Sequence, residues 1–118
     1  MPARDMRMEM FVRAIMRRDL NKAKGHMEKL IKIAGSDEWG GRGGYARAVE
    51  GIMNAVKDND TDSLIVQLLT TNDRERAEEL LSVYSEMAAQ EFRDEYEKGY
   101  YTAWAEFLKA YLNQKTLA

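Results

Sequence analysis

Apolar side chains recur at intervals of three and four along most of this 118-residue chain, and that spacing constrains the fold more than any motif does. A stripe at i, i+3, i+4, i+7 lies on one side of a 3.6-residue helix, whereas a half-buried strand needs strict alternation. Met8, Phe11, Val12, Ile15 and Met16 follow the helical pattern, with Glu9, Arg13 and Arg17 on the other side, which predicts a first helix over 4–18. Asp19 is placed to cap a second, striped by Leu20, Ala23, Met27, Leu30, Ile31 and Ala34 and ended by Gly35. Five of the eight glycines fall in GSDEWGGRGG at 35–44, the expected long loop. Tyr45, Ala48, Val49, Ile52, Met53 and Val56 then mark a third helix.

The turn-rich DNDTDS at 58–63 precedes LIVQLL at 64–69, which is too short and too apolar for its period to be read. With capping residues before it and helices on both sides, a short buried helix is expected, a single strand being the alternative. Asn72 with Glu75 has the form of a capping box opening the longest periodic segment, in which Ala77, Leu81, Tyr84, Ala88, Phe92 and Tyr96 share one face. From Tyr100 to Gln114 the chain is apolar nearly all round, leaving Thr102, Glu106, Lys109 and Asn113 as a narrow polar line. Such a helix is central or shared with a partner. One unbroken helix over 72–115 would be about 66 Å long, too long for a domain whose radius of gyration should be about 13 Å. A kink or turn is therefore expected near Gly99.

These segments read as an all-α fold: a single helical domain over 1–118, a compact bundle of five or six helices with an aromatic-rich C-terminal helical hairpin as core. Eight of the eleven aromatic residues lie in the last 35 positions. One small domain has difficulty burying them all, so Tyr101, Trp104 and Tyr111 are candidate partner-binding residues. Five of the eight methionines lie in the first 16 residues, and Met6 and Met10 fall opposite Met8, Val12 and Ile15. A helix apolar on two sides packs against two things, so these two methionines join the candidate partner surface.

Composition narrows function by exclusion. Without cysteine there is no disulfide, thiol nucleophile or thiolate metal site, and the lone His26 has no second histidine to share a metal with. No serine sits in G-x-S-x-G, and the paired carboxylates Glu91, Asp94 and Glu95 fall on a solvated face, so no enzyme and no cofactor are expected. Asp58, Asp60 and Asp62 have the first three spacings of an EF-hand calcium loop. That loop would also need glycine at Ser63 and glutamate at Leu69, and capping the next helix explains the acids as well.

Charge totals −2, but residues 1–50 carry +4 and residues 51–118 carry −6. Arg13, Arg17, Lys22, Lys29 and Lys32 give the first two helices a basic face, and Arg42 sits in the glycine-rich stretch 40–44 before a helix start. Together they make up a candidate nucleic-acid or anion surface, diluted by Asp5, Glu9, Asp19 and Glu28. No apolar run is long enough to span a bilayer, and the Arg-rich start carries Asp5 and Glu9, unlike a transit peptide. The expected setting is cytoplasmic, with no membrane contact. The leading functional expectation is a non-catalytic interaction module, an adaptor or regulatory subunit that docks a protein partner or self-associates into a homo-oligomer. The alternative is a nucleic-acid-binding protein using the basic face and the 40–44 loop.

Overall fold

Six α-helices account for nearly all of the described chain in the computed structural model, which describes residues 2–35 and 43–117. They are α1 (Pro2–Met16), α2 (Leu20–Ala34), α3 (Gly44–Lys57), α4 (Leu64–Thr71), α5 (Arg74–Ala89) and α6 (Glu95–Leu117). Among the described residues there is no strand, so 64–69 is helical, as its flanking caps indicated. No described helix is long and apolar enough to cross a membrane.

Local chemistry sets most boundaries. Asp19 accepts the Lys22 N–H at 3.2 Å and starts α2, while Ser63 accepts the Val66 N–H at 3.3 Å and starts α4. Asn72 does not open α5. It closes α4 in the left-handed conformation at φ 59°, and the cap of α5 is its neighbour Asp73, which accepts the Arg76 N–H at 3.0 Å. Asparagine is among the side chains that most readily adopt that conformation, which leaves the capping role to the next residue.

The break in the C-terminal hairpin is also displaced from where the sequence placed it. Gly99 is buried inside α6, and the chain turns at 90–94 instead. Asp94 accepts the Glu97 N–H at 2.8 Å and Glu97 returns the contact to the Asp94 N–H at 3.4 Å, a reciprocal cap that starts α6 without glycine or proline. Arg93 clamps the turn by donating to Gln90 Oε1 at 2.7 Å and Glu97 Oε2 at 2.9 Å. A periodicity extended across this turn loses its phase. Phe92 and Tyr96, read as inward-facing, are therefore 78% and 42% exposed, whereas Leu80 is buried beside Ala77.

α6 is the axis of the bundle. Its 23 residues span about 35 Å, matching the longest molecular extent of 33 Å. It packs against α5, α3 and α1, and α2 and α4 close the periphery through α1 and α3. Ala103, Phe107, Leu108 and Tyr111 meet Met8, Phe11, Val12 and Ile15 from α1 and Tyr45, Val49 and Ile52 from α3 in one continuous core. Tyr111 also reaches α4, donating to the Leu68 carbonyl at 3.4 Å.

α3 approaches α6 so closely at its first residue that backbone meets backbone. A Cβ at Gly44 would collide with the Tyr96 carbonyl oxygen and would stand 2.8 Å from its carbon and 3.0 Å from the Tyr100 nitrogen. Gly43, just before it, has φ 82°, a left-handed value natural only to glycine. Two glycines of the 35–44 stretch thus have structural roles. Gly44→Ala is expected to destabilise the fold by about 1–3 kcal/mol. Gly51→Ala, where nothing lies within 4 Å, should stabilise it by up to about 1 kcal/mol. Urea unfolding of both variants checks the pair.

Candidate functional site

Three places gather polar or exposed side chains, and they differ in what they can do. The first joins α1, α3 and α6 around Glu106. Arg4 donates to Glu106 Oε2 from Nε at 3.1 Å and from Nη2 at 2.8 Å, and the Tyr45 hydroxyl donates to Oε1 at 2.6 Å. The Arg4 guanidinium also lies 5.7 Å from the Tyr45 ring centre. Both carboxylate oxygens are engaged, so this cluster acts as a polar fastener between helices. The sequence placed Glu106 on a polar line of α6 but gave no sign of its partners, 102 and 61 residues away.

The second place is the groove between α1 and α2, a depression of about 470 Å³ lined by Met10, Arg13, Ala14, Arg17, Asp19, Lys22 and His26. Arg13 lies in the last turn of α1 and Arg17 just after it, its N–H donating to the Arg13 carbonyl at 3.1 Å, while Lys22 and His26 are one turn apart on α2, so basic side chains line both sides of Met10 and Ala14. Arg7 donates to His26 Nδ1 at 3.0 Å. A guanidinium has only donors, so Nδ1 carries the lone pair and the ring proton sits on Nε2. Burial, followed by the charges of Arg7, Lys29 and Lys22, holds the His26 pKa below its ordinary 6.5. Of the proposed basic residues, Arg13, Arg17 and Lys22 are thus brought together; Lys29 is exposed on α2 beside His26, Lys32 is exposed further along it, and Arg42 lies outside the described residues.

The third place is the turn between α5 and α6. Phe92 in the turn is 78% exposed, and Tyr96, four residues on in the first turn of α6, is 42% exposed. Arg93 lies 5.1 Å from the Phe92 ring centre and 5.0 Å from that of Tyr101. Inward from Tyr96 a relay of ring contacts runs through Tyr100, Tyr101, Tyr84, Trp104 and Phe107 to Phe11, each pair 5.6–6.4 Å apart. Burial, then the neighbouring Tyr100 and Tyr101, push the Tyr84 phenol above its ordinary pKa of 10.0.

The candidate partner residues divide. Met6 and Met10 are exposed and Tyr101 is half-buried, but Trp104 and Tyr111 are 7% and 1% exposed. These last two belong to the core and present no surface to a partner, which corrects their assignment: α6 lies at the centre of the bundle, where its rings are covered by α1, α3, α4 and α5. The exposed aromatics are Phe92 and Tyr96 instead. The signal that would have identified them is the Asp94–Glu97 capping pattern, which puts both at a helix start.

The calcium candidate is not assembled. Asp60 Oδ1 accepts the Asp62 N–H at 3.1 Å and the Asp58 N–H closes α3 on the Asn54 carbonyl, so these acids shape a turn. No group of three or more His, Cys, Asp or Glu is gathered for a metal among the described residues. Comparison with known protein families, curated proteins and solved structures finds no match to the chain.

Two outcomes follow. Glu106→Ala should cost about 2–3 kcal/mol in denaturant unfolding, because it leaves Arg4 and Tyr45 without the carboxylate they share. NMR titration of the single histidine should give a pKa below 6.5, and Arg7→Gln should move it upward by removing one of the nearby cations.

Proposed function

We propose that this chain is a non-catalytic interaction module that docks a protein partner on the α5–α6 turn. The observation that carries the reading is the exposure of two large rings within four residues, Phe92 at 78% and Tyr96 at 42%. Large aromatic rings left in water on a rigid turn are typical anchors for a partner's pocket. The turn is well braced for that purpose: the Asp94–Glu97 cap fixes its backbone, and Arg93 bridges Gln90, Glu97 and two rings. A rigid anchor loses little entropy on docking.

Charge selects the kind of partner. The segment 91–98 carries Glu91, Asp94, Glu95 and Glu97 against Arg93 and Lys98, so a second copy meeting it symmetrically would bring acid against acid. A basic segment with an apolar pocket or stripe is the complement. The non-catalytic part of the reading is supported by the available side chains: there is no cysteine, His26 Nδ1 accepts from Arg7, and both oxygens of Glu106 are occupied. Met6, 60% exposed on α1, supplies the second contact that an adaptor would need.

A photo-crosslinking residue at position 92, compared with one at position 57 on α3, tests the reading in the native cell. A discrete adduct from position 92 alone is expected, competed by the unmodified chain but not by the Phe92→Ser, Tyr96→Ser variant. Identical adducts from both positions would remove the docking face. An adduct of twice the chain's mass would replace the basic partner with a second copy.

A further inference from the structure

The α1–α2 groove has a different chemistry from the aromatic turn. Three exposed cations, Arg13, Arg17 and Lys22, line its walls together with His26. Its one acid, Asp19, is committed to the cap of α2, where it accepts the Lys22 N–H at 3.2 Å. Among the described residues, the ion pairs fall elsewhere, on Arg4, Arg74, Arg76 and Arg93, so the groove cations have no carboxylate within ion-pair distance. The contrast with the depression on the other side of α1 is instructive. That one, about 510 Å³, also holds cations, Arg4 and Lys109, but Asp5, Glu9 and Glu106 line it too. Only the α1–α2 side leaves a net positive concavity.

We propose that this groove is a binding site for an oligophosphate anion, a linear chain of phosphate groups whether free or carried by a nucleoside. Three features define the class. Cations on both walls, Arg13 and Arg17 on one and Lys22 on the other, suit a ligand with several charges in a row rather than a single small anion. The volume of about 470 Å³ lies in the range of small-molecule sites. Met10 and Ala14, lying between the walls, offer an apolar surface to a nucleoside.

His26 couples the site to protons. It is faced by Arg7 from α1 and by Lys22 and Lys29 from its own helix, with Asp19 lining the same groove. An anion between the walls offsets those cations and favours the imidazolium. Protonation at Nδ1 ends its acceptance from Arg7, and the released guanidinium becomes a further donor for the phosphates. Ligand binding therefore draws a proton onto His26 and Arg7 into the groove.

The single histidine makes the test direct, using the full chain at constant ionic strength with inorganic tripolyphosphate, ATP and orthophosphate as probes. Tripolyphosphate or ATP at millimolar concentration is expected to shift the His26 ring signals and raise the pH at which it titrates by at least about half a pH unit. Arg13→Gln with Arg17→Gln, or Lys22→Gln on the opposite wall, should weaken binding by about tenfold or more, while Lys24→Gln outside the groove changes it less than twofold. Circular dichroism of each variant confirms its helical content. Equal binding of the two oligophosphates identifies the inorganic chain as sufficient, and stronger ATP binding places a nucleoside against Met10 and Ala14; both support the site. His26 signals that stay fixed, or groove variants that bind like the parent chain, would overturn it. Binding of a twelve-residue single-stranded deoxyoligonucleotide more than tenfold tighter than tripolyphosphate would assign the groove to a nucleic-acid strand instead.

Discussion

The burial of α6 on three sides is the constraint from which the rest of the architecture follows. Phe107, Leu108 and Tyr111 are each within 1% of full burial, and no single neighbouring helix could enclose them. Each such side chain contributes on the order of 1.5–3 kcal/mol when removed from water, so the helices that cover α6 are held by it more than by one another. That accounts for the arrangement of α1, α3 and α5 around one axis. It also accounts for the position of the Arg4–Glu106–Tyr45 cluster: a carboxylate on the central helix is met by a donor from each of two covering helices, which fixes their orientation where apolar packing alone would let them slide.

Much of this was legible in the spacing of apolar residues. Tyr45, Ala48, Val49, Ile52, Met53 and Val56 are all buried as one face of α3, because the helix runs unbroken from Gly44 to Lys57 and keeps its phase from end to end. The C-terminal hairpin was harder to read. Its turn uses no glycine or proline; Asp94 and Glu97 form it with side-chain hydrogen bonds, and nothing in the apolar pattern marks where one phase stops and another begins. Gly99, the obvious breaker, is tolerated within α6, because tertiary burial outweighs its roughly 1 kcal/mol helix penalty. Phe92 and Tyr96 were misplaced with that turn.

The basic surface was legible as composition and not as a site. Counting cations along 4–32 cannot distinguish Lys32, exposed on an outer face, from Lys22, which lines a groove. That distinction depends on how α1 crosses α2, and the crossing is set by the left-handed Arg18 at φ 57° in the short connection between them. The sequence did mark Asp19 as the cap of α2, but it gave no sign that this carboxylate would share one groove with Arg13, Arg17 and Lys22. Trp104 and Tyr111 show the converse error: a surplus of rings suggested an interface, but a single central helix packed by α1, α3 and α5 takes up more aromatic surface than a two-helix hairpin would.

The meeting of Gly44 with the Tyr96 peptide has a mechanical consequence. Where side chains separate two helices, small displacements are absorbed by rotamer changes. Here main chain rests on main chain, and no such cushion exists. The first turn of α6, which carries the exposed Tyr96 ring, and the first turn of α3 must therefore shift together. A displacement of the Tyr96 peptide is met at once by the backbone at Gly44 and the start of α3, with no side chain between them to yield.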